Sequence, residues 1–215
     1  MKTLFFKTVI STTTALLLAN AAWAGRPLSV DDANVNDAGK GHVETWFAHE
    51  SGSTAFYVAP AYAIRNNLEL SAVYGRESQS GANAMTLQAK YRISQPQDNG
   101  CNTAVAGGVT HYNQGGGNAP YIYGAVSCNV LSFAVHGNVG GLKPSGASGK
   151  MFWGIAAEKP FGNVTAHAEV FATEGERMTK QVGLRTNLSD NIQLDGTVGR
   201  QGGFNKYSIG MKFSF

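Results

Sequence analysis

From about residue 42 to the end, apolar residues recur at every second position, and that period is what most limits the folds open to this chain. Leu68, Leu70, Ala72 and Tyr74 alternate with Glu69, Ser71 and Val73. Met85, Leu87, Ala89, Tyr91 and Ile93 alternate with Thr86, Gln88, Lys90 and Arg92. Val164, Ala166, Ala168, Val170 and Ala172 alternate with Thr165, His167, Glu169, Phe171 and Thr173. A two-residue period is that of strands with one apolar and one polar face. Turn-forming stretches break the runs at Arg65-Asn66-Asn67, Gln97-Asp98-Asn99-Gly100, Lys159-Pro160-Phe161-Gly162 and Ser189-Asp190-Asn191. Gly-rich or polar stretches at 115–117, 143–150 and 201–203 separate the rest. The pattern predicts twelve antiparallel strands, at 41–50, 53–65, 67–76, 83–94, 101–112, 119–128, 131–142, 150–158, 163–173, 177–188, 191–200 and 205–215. Pro60, inside the second, predicts a bulge or kink there.

Alternation alone fits a soluble sandwich as well as a membrane barrel. The last strand separates them. Tyr207, Ile209, Met211, Phe213 and Phe215 are apolar at every second place, with Lys206, Ser208, Gly210, Lys212 and Ser214 between. Tyr207 to Phe215 spans roughly 26 Å of strand, or about 20 Å of height at a tilt near 40°, close to the apolar band of outer-membrane barrels. The ending resembles the C-terminal signal read by the barrel assembly machinery, and we assign those five residues to it. The expected fold is therefore all-β, a closed up-and-down transmembrane barrel. Closure is required, because an open edge in hydrocarbon leaves backbone groups unsatisfied. An even strand number puts both ends of the barrel in the periplasm, with Asn66, Asn129, Pro160 and Asp190 at periplasmic turns. The Gly-rich stretches become outer loops, too short for one to fold deep into the lumen.

The start of the chain agrees. Lys2 and Lys7, an apolar run from Val9 to Leu18 and Ala22-Trp23-Ala24 have the order of a secretory signal peptide, cleaved after Ala24. This divides the chain into a leader (1–24), an N-terminal periplasmic segment (25–40) and a barrel in the outer membrane (41–215). Without the leader, 15 basic residues face 14 acidic ones, so nothing points to nucleic acid. The segment 25–40 lacks strand periodicity. It either tucks into the lumen, with Arg26, Asp31 and Asp32 meeting interior charges, or hangs as a free tail. Cys101 and Cys128 enter an oxidising compartment. Pairing them opposes the fifth and sixth strands and puts the tip of their hairpin at the Gly115-Gly116-Gly117 run, so a structural disulfide is expected.

If the apolar sets face lipid, the inner wall carries Glu44, Glu69, Gln88, Lys90, Arg92, His136, Glu158, His167, Glu169, Arg185, Asp195 and Lys212, with Trp46 among them. Two readings of such a wall compete. One is a narrow wet channel with a transverse field for polar solutes. The other is a salt-bridged interior, closed, in a structural or surface-interaction barrel.

Arg26-Pro27-Leu28, then Asp31-Asp32-Ala33, then Gly41-His42-Val43-Glu44-Thr45-Trp46 and the Asn67-Leu68-Glu69-Leu70 strand start carry a resemblance. They resemble a family of proteobacterial outer-membrane barrels related to the transporters linked to phenol meta-pathway degradation. The resemblance implies passage of small molecules, hydrophobic or aromatic ones among them, with lipid and a solute as partners.

Catalysis has little support in the sequence. His167 and Glu169 share one strand face about 7 Å apart with no nucleophile in sequence reach, so an outer-membrane lipid-modifying enzyme is the weakest reading. The five histidines show no ligand spacing, and no phosphate loop or cofactor motif occurs, so neither metal nor cofactor is expected.

Overall fold

A computed structural model describes residues 26–95 and 100–215. The leader (1–24) and the turn residues 97–99 lie outside the described residues. The alternating runs form twelve strands. The first four are β1 (Gly41–Glu50), β2 (Ser53–Arg65), β3 (Leu68–Glu77) and β4 (Asn83–Arg92). Next come β5 (Cys101–Tyr112), β6 (Gly117–Val130), β7 (Phe133–Leu142) and β8 (Lys150–Phe161). The last are β9 (Val164–Thr173), β10 (Thr179–Asn187), β11 (Ile192–Gln201) and β12 (Phe204–Ser214). Each pairs antiparallel with its sequence neighbours, and β1 pairs with β12 to close the barrel. At that seam Val43 is opposite Phe213 and Phe47 opposite Ile209. The backbones of Gly41 and Phe215 exchange two hydrogen bonds of 2.9 Å, so the chain end completes the ring.

The side-chain sets divide as the period requires. Leu70, Tyr74, Met85, Leu87, Ile122, Ile155, Val182, Leu184, Ile209, Met211 and Phe213 are all exposed on the outside, while charged residues are buried inside. A soluble protein buries the first set and exposes the second; the inversion is that of a barrel in lipid.

Several turns differ from expectation. β8 runs on through Lys159 and Pro160 to Phe161, and the turn falls at Gly162, whose φ is 61°. Pro160 is thus in a strand, where it is opposite Thr165 close to the end of the β8–β9 ladder. β6 likewise continues through Asn129, with Leu131 taking a left-handed φ of 57° at the turn. The β5–β6 hairpin carries Tyr112 opposite Gly117, in the same register as Cys101 opposite Cys128, so it centres between Gln114 and Gly115. Both of those residues have positive φ. At Pro60 the β2–β3 ladder is interrupted between Val58 and Ala61, as a missing N–H requires. The register shift itself comes later, between Ala63 and Arg65.

Cys101 is opposite Cys128 and bonded to it, with Cα atoms 4.1 Å apart. The bridge ties the start of β5 to the end of β6.

Candidate functional site

Counting along each strand from the lipid-facing positions, the inner wall carries Glu44, Glu69, Lys90, Arg92, His136, Glu158, His167, Glu169 and Asp195, all buried. Gln88, Arg185 and Lys212 share that wall and are half-buried. Residues 26–38 run through the interior against this wall.

The segment is held by side chains of strands far apart in sequence. The Arg26 amide donates to Glu44 Oε2 at 2.9 Å, and its guanidinium bonds Asp195 and Ser208. That guanidinium also lies 5.4 Å over the ring of Trp46, which stacks on Tyr57 at 4.7 Å. The Ser29 and Val30 amides both donate to Glu169, at 2.8 Å each to Oε2. Asp31 is gripped from two sides. Its backbone N–H and C=O pair with the two ends of the Asn138 amide, at 2.6 and 2.8 Å, as a neighbouring strand would pair. Its carboxylate accepts from Lys90 Nζ at 3.0 Å and from Tyr123 Oη at 2.5 Å. Further along, Ala33 N–H donates to Ser127 Oγ, Asn36 N–H to Glu69, and Ala38 N–H to Asn66. A segment without strand periodicity still has backbone donors that must be satisfied away from water. Here the barrel wall supplies the acceptors.

Shape matches chemistry at two glycines. A Cβ on Gly154 would stand 2.6 Å from Val30 Cγ2, and one on Gly210 would stand 2.8 Å from Arg26 Nε. Either side chain would displace the segment or be displaced.

Several wall charges also pair with one another. Glu158 meets Arg185 at 2.5 Å and His136 at 3.5 Å; Lys206 meets Glu50 at 2.9 Å; Lys212 meets Glu44 at 3.7 Å. The space left inside is small. A cavity of about 80 Å³ lies beside Arg26, Leu28 and Trp46, and one of about 140 Å³ beside Asp31, Asn36, Glu69 and Lys90. Each has room for no more than a few waters.

Inward-facing Tyr57, Tyr121, Tyr123 and Phe152 were not among the residues expected on the wall. Tyr121 and Tyr123 stack at 6.2 Å, and Tyr123 meets Phe152 edge-on at 6.0 Å. Both faces of β6 are rich in apolar residues, so its hydrophobic pattern leaves the inner face unassigned. The wall also lines up Ser127, His136 and Glu158: Ser127 Oγ is 2.8 Å from His136 Nδ1. Among the described residues no cluster of three His, Cys, Asp or Glu could hold a metal ion.

A family match covers most of the chain, over residues 13–207. The chain belongs to the family described as uncharacterised conserved protein UCP029691. No protein of curated function matches it in sequence. Solved structures share the fold. A KdgM porin in complex with disordered oligogalacturonate is 15% identical, with a TM-score of 0.72 over 81% of this chain and 99% of that one. The NanC porin is 11% identical, with a TM-score of 0.64 over 80% and 98%. The COG4313 outer membrane channel from Pseudomonas putida F1 is 11% identical, with a TM-score of 0.63 over 86% and 98%. The fold is that of bacterial outer-membrane, porin-like barrels. The link to phenol meta-pathway transporters is not among these likenesses.

Proposed function

We propose that the chain is an outer-membrane channel for small molecules whose lumen is closed at rest by its own N-terminal segment, residues 26–38. The observation that carries this reading is the seat of the segment. It is held by hydrogen bonds to wall side chains, while the strand ladder closes into a barrel without it. Leu28 and Val30 also pack on Ala156, but the polar bonds of the seat can be exchanged for bonds to water. The wall behind it offers Lys90, Arg92 and Arg185 against Glu44, Glu69 and Glu169, a field suited to polar or charged solutes. The KdgM porin's oligogalacturonate complex fits such a wall. The stacked Trp46–Tyr57 and Tyr121–Tyr123 pairs add flat apolar surface, which favours solutes with an aromatic or hydrophobic face.

Single-channel recording in planar bilayers tests this with two refolded chains, one beginning at Gly25 and one at Gly39. The proposal expects long closures with brief openings from the first, and a steady, larger conductance from the second. If the shortened chain is folded and silent, the channel reading is wrong.

The competing reading is a structural barrel with a permanently closed interior. It is favoured by the ion pairs among wall charges and the small cavities. The same recording separates the two. An enzyme is less supported. The aligned Ser127 hydroxyl is buried and also accepts the Ala33 amide, so substrate has no approach to it. Labelling by a serine-reactive phosphonate would reverse that judgement.

A further inference from the structure

Lys180 and Arg200 stand side by side on the outside of the barrel. They are cross-strand partners on β10 and β11, with Asn205 of β12 opposite Arg200. All three are exposed and belong to the lipid-facing set. Among the described residues neither cation forms an ion pair with an acid. Like charges directly opposite on one sheet face destabilise it. An anion lying between them removes that cost.

Their height suits a headgroup. Asn205 precedes Tyr207, the outer-rim aromatic of the last strand, by two residues. That is about 7 Å of strand, or about 5 Å of height. One row inward in the same register lie Ala157, Ala168, Val182, Val198 and Tyr207. The two alanines leave a shallow groove of about 660 Å³ between Ile155 and Val182, and it runs up to Lys180 and Arg200. The other outward cations have no such setting. Arg76 is opposite Asn83 and Phe56, a single charge, and Lys159 lies over the rings of Phe133 and Phe161 at 4.9 and 5.4 Å.

The geometry points to a bound membrane lipid, with its phosphate headgroup between Lys180 and Arg200 and an acyl chain in the groove over Ala157 and Ala168. A lipid satisfies both halves of the site at once, because the polar pair and the apolar groove are continuous. The site lies on the outer face and is independent of what passes through the lumen.

Native mass spectrometry of the detergent-purified barrel, with added lipid A as the phosphorylated lipid, reads this directly. The wild-type barrel retains the lipid, and the pair K180Q/R200Q lowers the bound fraction about tenfold. Ala168→Leu fills the groove with a side chain common on this face and lowers retention with both charges intact. R76Q leaves retention unchanged, and the heat-dependent gel shift of folded barrels controls for folding. Equal retention by wild type and K180Q/R200Q overturns the site. Displacement of lipid A by millimolar inorganic phosphate, or no effect of Ala168→Leu, overturns the lipid as occupant.

Discussion

Val30 of the N-terminal segment lies against Gly154 on β8, so close that a Cβ on that glycine would stand 2.6 Å from Val30 Cγ2. Gly154 itself is opposite Phe171 on β9 and Asn138 on β7, and Asn138 holds the next residue, Asp31, by both backbone groups. The absent side chain thus leaves the space the segment occupies.

Gly154→Leu should therefore unseat the segment without opening the barrel. Bilayer recordings should show mean open time rising several-fold, while the gel shift of the folded barrel persists. A variant that is folded and as silent as wild type would remove the steric part of the argument.

Lys90 is the cation that meets Asp31, and its own side chain is buried. Removing one partner of a buried pair costs about 3–5 kcal/mol, and less where water can enter. Lys90→Glu places a second carboxylate against Asp31, so open time should rise by about tenfold or more. The open pore should also shift toward cation selectivity. The swap D31K/K90D should restore closure, and failure of that rescue would argue that Lys90 acts on folding.

The Cys101–Cys128 bridge spans 27 residues of sequence and sits in the lipid-facing set. Reduction should lower stability to urea by about 3 kcal/mol and leave conductance unchanged, because neither sulfur faces the lumen. A change in conductance on reduction would mean that the hairpin moves during gating.

Phe215 ends the chain at the β1–β12 seam, with its ring beside Phe213 at 6.3 Å. Phe215→Ser should lower the amount assembled in the outer membrane of cells several-fold, while refolding in detergent proceeds as in wild type. Equal loss in both settings would make Phe215 a packing residue rather than part of an assembly signal.

Cleavage after Ala24 would leave Gly25 and Arg26 at the start of the mature chain. Intact mass of the protein from outer membranes should match a chain beginning at Gly25. A retained leader would have to be accommodated beyond Arg26, which already bonds Asp195 and Ser208 inside the barrel.

Most of the barrel was legible in the sequence because a strand in lipid has no choice of face. Leu70, Leu87 and Ile209 must point out once Glu69, Gln88 and Lys212 point in. The Cys101–Cys128 register followed from the constant sum of paired positions in an antiparallel hairpin, which Tyr112 opposite Gly117 keeps. Legibility failed where that two-sided contrast was absent. In β6, Tyr121, Tyr123 and Ala125 alternate with Ile122, Gly124 and Val126, so hydrophobicity alone could not place the tyrosines inside. At Pro160 the turn composition was read as a turn, but the strand tolerates a proline near the end of its ladder.

Strand number, face and order are local properties: a period of two, a turn signal and the need to satisfy backbone groups in hydrocarbon settle them residue by residue. The path of residues 26–38 is not local. Their partners include Asp195, Glu169, Asn138, Ser127, Lys90 and Glu69, on six different strands, and Ser208, 182 positions from Arg26. Most of those bonds are made by backbone amides, which every residue but proline possesses and which carry no sequence signature. Only the closed barrel brings the acceptors to one place, and so only the tertiary structure decides that the lumen is filled by the chain's own N-terminal segment.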